Sequence, residues 1–143
     1  MIIPLILSLQ LTFQTPITKA NDSGCISVEG YAKVMTGNQM PGNRSASAPL
    51  KNKSIIAVLG HVKAEEGKPS IPIKSISSKI IETRTDKKGI FRFSLLPGFY
   101  TFFIVNEEKA YLNRYDGNGF FKGAEVITSP KKILLIDESN ILY

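Results

Sequence analysis

Residues Phe91–Phe103 read FRFSLLPGFYTFF. Before the Pro-Gly pair, Phe91, Phe93 and Leu95 alternate with Arg92 and Ser94. That period of two predicts a strand with one apolar and one wet face. After the pair, Tyr100, Phe102 and Ile104 share one face, and Phe99, Thr101, Phe103 and Val105 the other. Both of these faces are largely apolar, which predicts a more central strand. Pro97 lacks an amide hydrogen and Gly98 accepts positive φ, so the pair reads as a tight turn. The stretch is therefore expected to form an antiparallel hairpin. A second turn is expected at Asp86–Gly89, and Lys79–Thr85 (KIIETRT) reads as a further strand upstream. Three strands joined by two short turns predict a meander.

Working outward, 143 residues suggest one domain, and a hydrophobic content of 43% supplies enough apolar side chains for a core. The 11 Gly and 8 Pro fall between short apolar runs, a spacing that favours strands over helices. Further strands are read at Ile26–Met35, Ser54–Gly60, Ala124–Ser129 and Lys132–Asp137. Gly30, inside the first of them, predicts a bulge or a close backbone approach. Thr36–Asn52 is expected to be a long polar loop, and His61–Ser78 and Glu107–Gly123 read as loops too. The fold class that follows is all-β, a seven-stranded Greek-key, prealbumin-like β-sandwich behind an N-terminal signal peptide.

The N-terminal reading rests on Ile2–Phe13, an apolar run too short to span a bilayer as a helix, and on Thr18-Lys19-Ala20, a plausible cleavage site. Residues 1–20 are expected to be a signal peptide, 21–25 a short linker and 26–143 the sandwich domain. The competing readings are a buried N-terminal strand or a wrongly assigned start, because no Lys or Arg precedes the run and Pro4 and Gln10 weaken it. Cys25 is the single cysteine, so no internal disulfide is available. Ser23-Gly24 before it suits lipidation of Cys25, but Asp22 stands where a lipobox has an aliphatic residue. A half-buried free thiol at a strand start is the alternative.

The residues also carry a family resemblance. Glu29–Gly42 (EGYAKVMTGNQMPG), Thr83–Ile104 (TRTDKKGIFRFSLLPGFYTFFI) and Tyr111–Val126 (YLNRYDGNGFFKGAEV) resemble the carboxypeptidase regulatory-like domain, a transthyretin-like β-sandwich. Within it, the chain is similar to small secreted single-domain proteins of Bacteroidota. The resemblance runs from about Gly24 to the C-terminus. Its most specific part, G-x-F-x-F-x-L-x-P-G-x-Y over Gly89–Tyr100, occupies core and turn positions and implies fold rather than chemistry. The family's fold is shared with hydroxyisourate hydrolases, which use several histidines and a Tyr-Arg-Gly-Ser ending; the single His61 does not match. The zinc peptidase domain to which such sandwiches are appended needs His-x-x-Glu, also missing here.

Among the residues themselves, chemistry is sparse. His61 follows a strand end and reads as a solvated loop residue. Cys25 and His61 would make a nucleophile–base pair only if the fold joined them, and no orienting third residue is evident. No G-x-S-x-G elbow occurs. Asp116-Gly-Asn-Gly-Phe120 offers half of a calcium loop in Asp116 and Asn118, too few oxygens for that ion, and reads better as a glycine-rich turn. No cofactor is expected. The net charge of +6 gathers at Lys87, Lys88 and Arg92, and at Lys131 and Lys132. These are expected to be solvated turn residues, and export argues against nucleic acid. The candidate ligand-binding residues are Tyr111, Tyr115, Asp116, Asn118 and Phe120, either as a sugar-stacking platform or folded back as a cap on the core. The reading is a non-catalytic, monomeric, secreted or envelope-associated binding or structural domain. Its partner is an envelope protein or a glycan, and it meets the membrane only through a lipidated Cys25.

Overall fold

The computed structural model describes residues 24–38, 45–65 and 67–142. The expected signal peptide, most of the linker and the centre of the Thr36–Asn52 loop lie outside them. Among the described residues ten strands form in place of the seven expected: β1 (Ile26–Asn38), β2 (Ser45–Pro49), β3 (Ser54–Leu59), β4 (Ser70–Pro72), β5 (Ile80–Arg84), β6 (Ile90–Leu95), β7 (Gly98–Asn106), β8 (Lys109–Tyr111), β9 (Ala124–Val126) and β10 (Lys131–Leu142). The three extra ones, β2, β4 and β8, are short and lie in segments expected to be loops. Ser45–Pro49 (SASAP) alternates only serine with alanine and carries no large apolar side chain, yet it pairs antiparallel with Lys33–Gly37. It is a strand because β1 offers it an edge.

One sheet has six strands in the order β4–β8–β7–β3–β5, with β9 also on β7; the other has four, β10–β1–β2, with β6 also on β1. In each sheet one long strand is flanked on one side by two short strands laid end to end. β6 pairs Ile90–Leu95 with the first half of β1, and β2 takes the second half. Likewise β9 takes the start of β7 and β8 its end. β10 runs parallel to β1, with Lys131 opposite Val28 and Leu135 opposite Ala32.

The expected hairpin and meander are overturned. β5 pairs with β3, β6 with β1 and β7 with β3, so three consecutive strands alternate between the sheets. Pro97-Gly98 is a corner from one sheet to the other. The Tyr100 hydroxyl pins it by donating to the Leu96 carbonyl at 2.8 Å. Burial and, second, the nearby Cys25 hold the Tyr100 phenol above its ordinary pKa. Alternation told correctly which face each strand buries. Phe91, Phe93 and Leu95 are in the core, as are Tyr100, Phe102 and Ile104, and Phe93 meets Phe102 across the sandwich at 5.7 Å between centroids. Alternation carries no information on which neighbour supplies the hydrogen bonds, and a corner satisfies the same pattern as a hairpin.

Gly30 shows what the close approach is for. The Phe91 ring, 1% exposed, lies on the β1 main chain, and a Cβ at Gly30 would sit 2.1 Å from its Cζ. The outer face of the six-stranded sheet is also buried, which explains why β3 is apolar on both faces. Phe121 covers Phe103 there, edge to face at 5.1 Å, and its amide donates to Val62.

The turn at Asp86–Ile90 recurs at Asp116–Phe120. In each, an Asp carboxylate accepts the amides two and four residues on, and the Asp amide donates to the carbonyl four on. The fourth residue is a glycine at positive φ, Gly89 at 80° and Gly119 at 94°. A side chain there would be strained. The pattern D-x-x-G followed by an apolar residue is thus one structural unit used twice.

Two expectations follow. Gly30→Ala should destabilise by about 1–3 kcal/mol in urea unfolding, the range for an overpacked core. Most of that loss should vanish when the substitution is made in a Phe91→Leu background; purely additive losses would show that the ring is not what Gly30 accommodates. The second concerns Asp86, whose carboxyl is held below the ordinary aspartate value of 3.8, first by the Ile90 amide and then by that of Lys88. A lowered folded pKa stabilises the fold above the unfolded pKa, and the contribution is lost as pH falls through the folded one. Asp86→Asn should therefore lower the urea midpoint at pH 7 and match the parent at the lowest pH where both fold. A constant difference across the range would remove the charge from the argument.

Candidate functional site

The loop between β8 and β9 is a small hairpin over the outer face of the six-stranded sheet. Tyr115 bridges Phe121, Asp116 donates to Phe120 and Lys122 to Arg114. Phe120 in turn bridges Lys63, and Ala64 donates to Gly119 at 2.9 Å, so residues 62–64 join as a third strand-like segment. Long-range main-chain bonds therefore fix the loop to the body of the fold.

This arrangement separates the expected site residues. Tyr111 is 5% exposed, lies in β8, and its hydroxyl accepts the Glu138 amide at 3.1 Å. It is a core residue and leaves the candidate surface. Tyr115 is 41% exposed; its ring stacks on the buried Phe121 at 5.7 Å and 25°. Phe120 turns the other way and meets His61 edge-on at 5.6 Å. Asp116 spends one carboxylate oxygen on the Asn118 and Phe120 amides, at 2.6 and 3.2 Å. Asp116 and Asn118 shape the turn that carries Tyr115. Among the described residues, no group of three or more His, Cys, Asp or Glu side chains could hold a metal ion.

Tyr115 lines an open groove of about 440 Å³ together with Ala64, Glu65, Gly67, Gly117 and Gly119. Three of these are glycines with open space where a Cβ would stand, so a ligand can approach the main chain. Glu65 gives the groove a carboxylate, paired with Lys68 at 3.2 Å on the surface. A second groove of about 310 Å³ on the other side of Glu65 is bounded by His61, Lys63, Ser75, Ser77 and Ser78. Glu65, Gly67 and His61 were not foreseen as partners of the aromatic loop. They lie some fifty residues upstream, and nothing local signals the pairing of 62–64 with 119–121.

His61 stacks on Phe99 at 4.0 Å and 19°. Cys25 lies on the Tyr100 side of β7, near enough to affect that phenol. Phe99 and Tyr100 are successive residues of one strand and point to opposite faces. His61 therefore lies on the Phe99 face of β7, opposite to the face that bears Tyr100. β1 begins at Ile26, so Cys25 stands directly against the sandwich. No helix among the described residues is long and apolar enough to cross a membrane.

The four-stranded sheet has a groove on its exposed face as well, about 440 Å³, with Ile90, Tyr31 and Leu134 in a row across three strands. Beside that row, Glu29 is bound at 2.8 Å by Lys132 and at 3.0 Å by Arg92. Lys132, then Arg92, hold its carboxyl below the usual range. Arg92, Glu29 and Lys132 are paired with one another on this face, and no aromatic ring backs Tyr31 among the described residues.

No family model matches the chain, and no curated protein does. Among solved structures it is similar to a Pseudomonas aeruginosa protein provisionally described as a carbohydrate binding protein, at 18% identity over 79% of this chain and 88% of that one. The TM-score is 0.46, and a likeness of that size carries no argument about this chain's ligand.

Proposed function

We propose that this protein is a non-catalytic β-sandwich of the carboxypeptidase regulatory-like kind, exported to the cell envelope or medium, and that it binds carbohydrate in the Tyr115 groove. One observation carries the ligand class: Tyr115 is held flat against the buried Phe121 while part of its ring stays open on a glycine-floored groove beside Glu65. A sugar ring presents apolar C–H faces and polar edges. An aromatic face fixed in advance takes the first, and a carboxylate and exposed main-chain groups take the second. Preorganisation matters because a ring that need not be immobilised on binding saves its ordering cost. The apolar run at Ile2–Phe13 supports export.

A glycan-array screen of the exported form tests this reading, followed by titration of the best ligand. Tyr115→Ala should weaken binding at least tenfold, and Tyr115→Phe should retain it, since stacking needs the ring and not the hydroxyl. Because Tyr115 is exposed, the Ala variant should melt within a few degrees of the parent. Absence of any glycan ligand, or binding indifferent to Tyr115→Ala, would refute the proposal.

A further inference from the structure

The side of the sandwich along β10 is closed at one end and open at the other. At the closed end, Asn106 donates to Asp137, Asn113 to Glu138, and the Glu138 amide to Tyr111, so the two sheets are tied together. From Lys131 to Ile136 no such ties occur among the described residues. Among the described residues β10 pairs there with β1 alone and is the outermost strand of its sheet. In a parallel pair, alternate residues turn both N–H and C=O away from the partner, so this edge presents main-chain groups in strand register. Next to the edge lies a slot of about 190 Å³, floored by Phe102, Leu112 and Leu135. Arg114, Lys122, Lys131 and Lys132 rim it, and no acidic residue lines it. Lys132 is bound to Glu29, while Arg114, Lys122 and Lys131 have no ion pair among the described residues.

We propose that the Lys131–Ile136 edge of β10 accepts an acidic peptide segment as an added strand of the four-stranded sheet. The open edge supplies main-chain hydrogen bonds, which give such complexes their affinity. Side chains of the added strand alternate. Those facing the six-stranded sheet meet the apolar slot and the Arg114 and Lys122 cations, and the others lie beside Lys132 and Leu134. Charge selects the partner. A second copy would bring the same lysines against this edge and is repelled, whereas an acidic strand is drawn in. The slot has room for about one side chain, as expected where an incoming strand sends alternate residues inward. This surface lies apart from the Tyr115 groove, and its occupation does not depend on the carbohydrate reading.

The test is a fluorescence-anisotropy titration of the full chain with an end-blocked, labelled octapeptide of alternating Glu and Val. Saturable binding is expected. It should weaken at least tenfold when alternate peptide amides are N-methylated, and at least tenfold in the exposed-residue double variant Arg114→Glu/Lys122→Glu. A Lys-Val octapeptide should not bind. The N-methylated peptide is used with the unaltered protein, so it decides the question even if the variant folds poorly. Absence of binding, or equal binding of the N-methylated peptide, would overturn the proposal. If polygalacturonate binds and displaces the peptide while N-methylation has no effect, the cations serve an anionic glycan and the added-strand proposal fails.

Discussion

The contact on which this fold rests is the Phe91 ring lying on the main chain of Gly30. It sets the distance of the ring from the β1 backbone and locks β6 opposite the first half of β1. Burying a phenylalanine fully contributes about 1.5–3 kcal/mol, and this one also positions its neighbours. Phe93, edge-on to Phe91 at 5.9 Å, reaches across to Phe102 of the other sheet. Through that chain of rings, one missing Cβ fixes the relation between the strand before the Pro-Gly corner and the strand after it. The corner is then held by a hydrogen bond internal to itself, from Tyr100 to Leu96.

A sandwich built this way has two unequal outer faces. The six-stranded sheet is roofed by the 62–64 segment and the 114–122 hairpin, which is why Phe103 and Thr101 are as buried as the residues on the inner side. Among the described residues nothing roofs the four-stranded sheet, and Tyr31, Leu134 and the Arg92–Glu29–Lys132 group lie on its surface. The hairpin that roofs one sheet also ends up bearing chemistry. It presents Tyr115 to one groove, Phe120 to His61, and Arg114 and Lys122 to the slot along β10.

The residues in the Phe91–Phe103 stretch disclosed their faces because burial repeats every two residues regardless of which strand lies alongside. They could not disclose their partners. Pairing depends on contacts with β1 and β3, about forty to seventy residues away, and the same alternation serves hairpin and corner alike. β2 was invisible for a related reason: Ser45–Pro49 has only small side chains and takes its conformation from the edge it joins. For the site, the aromatic loop was legible as a cluster, and Tyr115 and Phe120 are indeed its outer rings. Tyr111 looked identical in sequence but falls in β8, inside the fold. Glu65 and the glycine floor were hidden, since a groove formed by two distant loops leaves no local pattern. The D-x-x-G segments at Asp86 and Asp116 were both readable as turns, and their hydrogen bonds make Asp116 a turn former.

The parallel pairing of β1 with β10 has a kinetic consequence. Lys132 and Glu29, joined by a hydrogen bond, are 103 residues apart in the chain. Closing so large a loop costs entropy before its contacts can return it, and folds dominated by such contacts form slowly. β1 is the middle strand of its sheet, so during synthesis it waits with one flank unsatisfied until β10 leaves the ribosome. Half a sheet with bare edges is a poor stopping point, and the chain is thereby kept from completing its fold early.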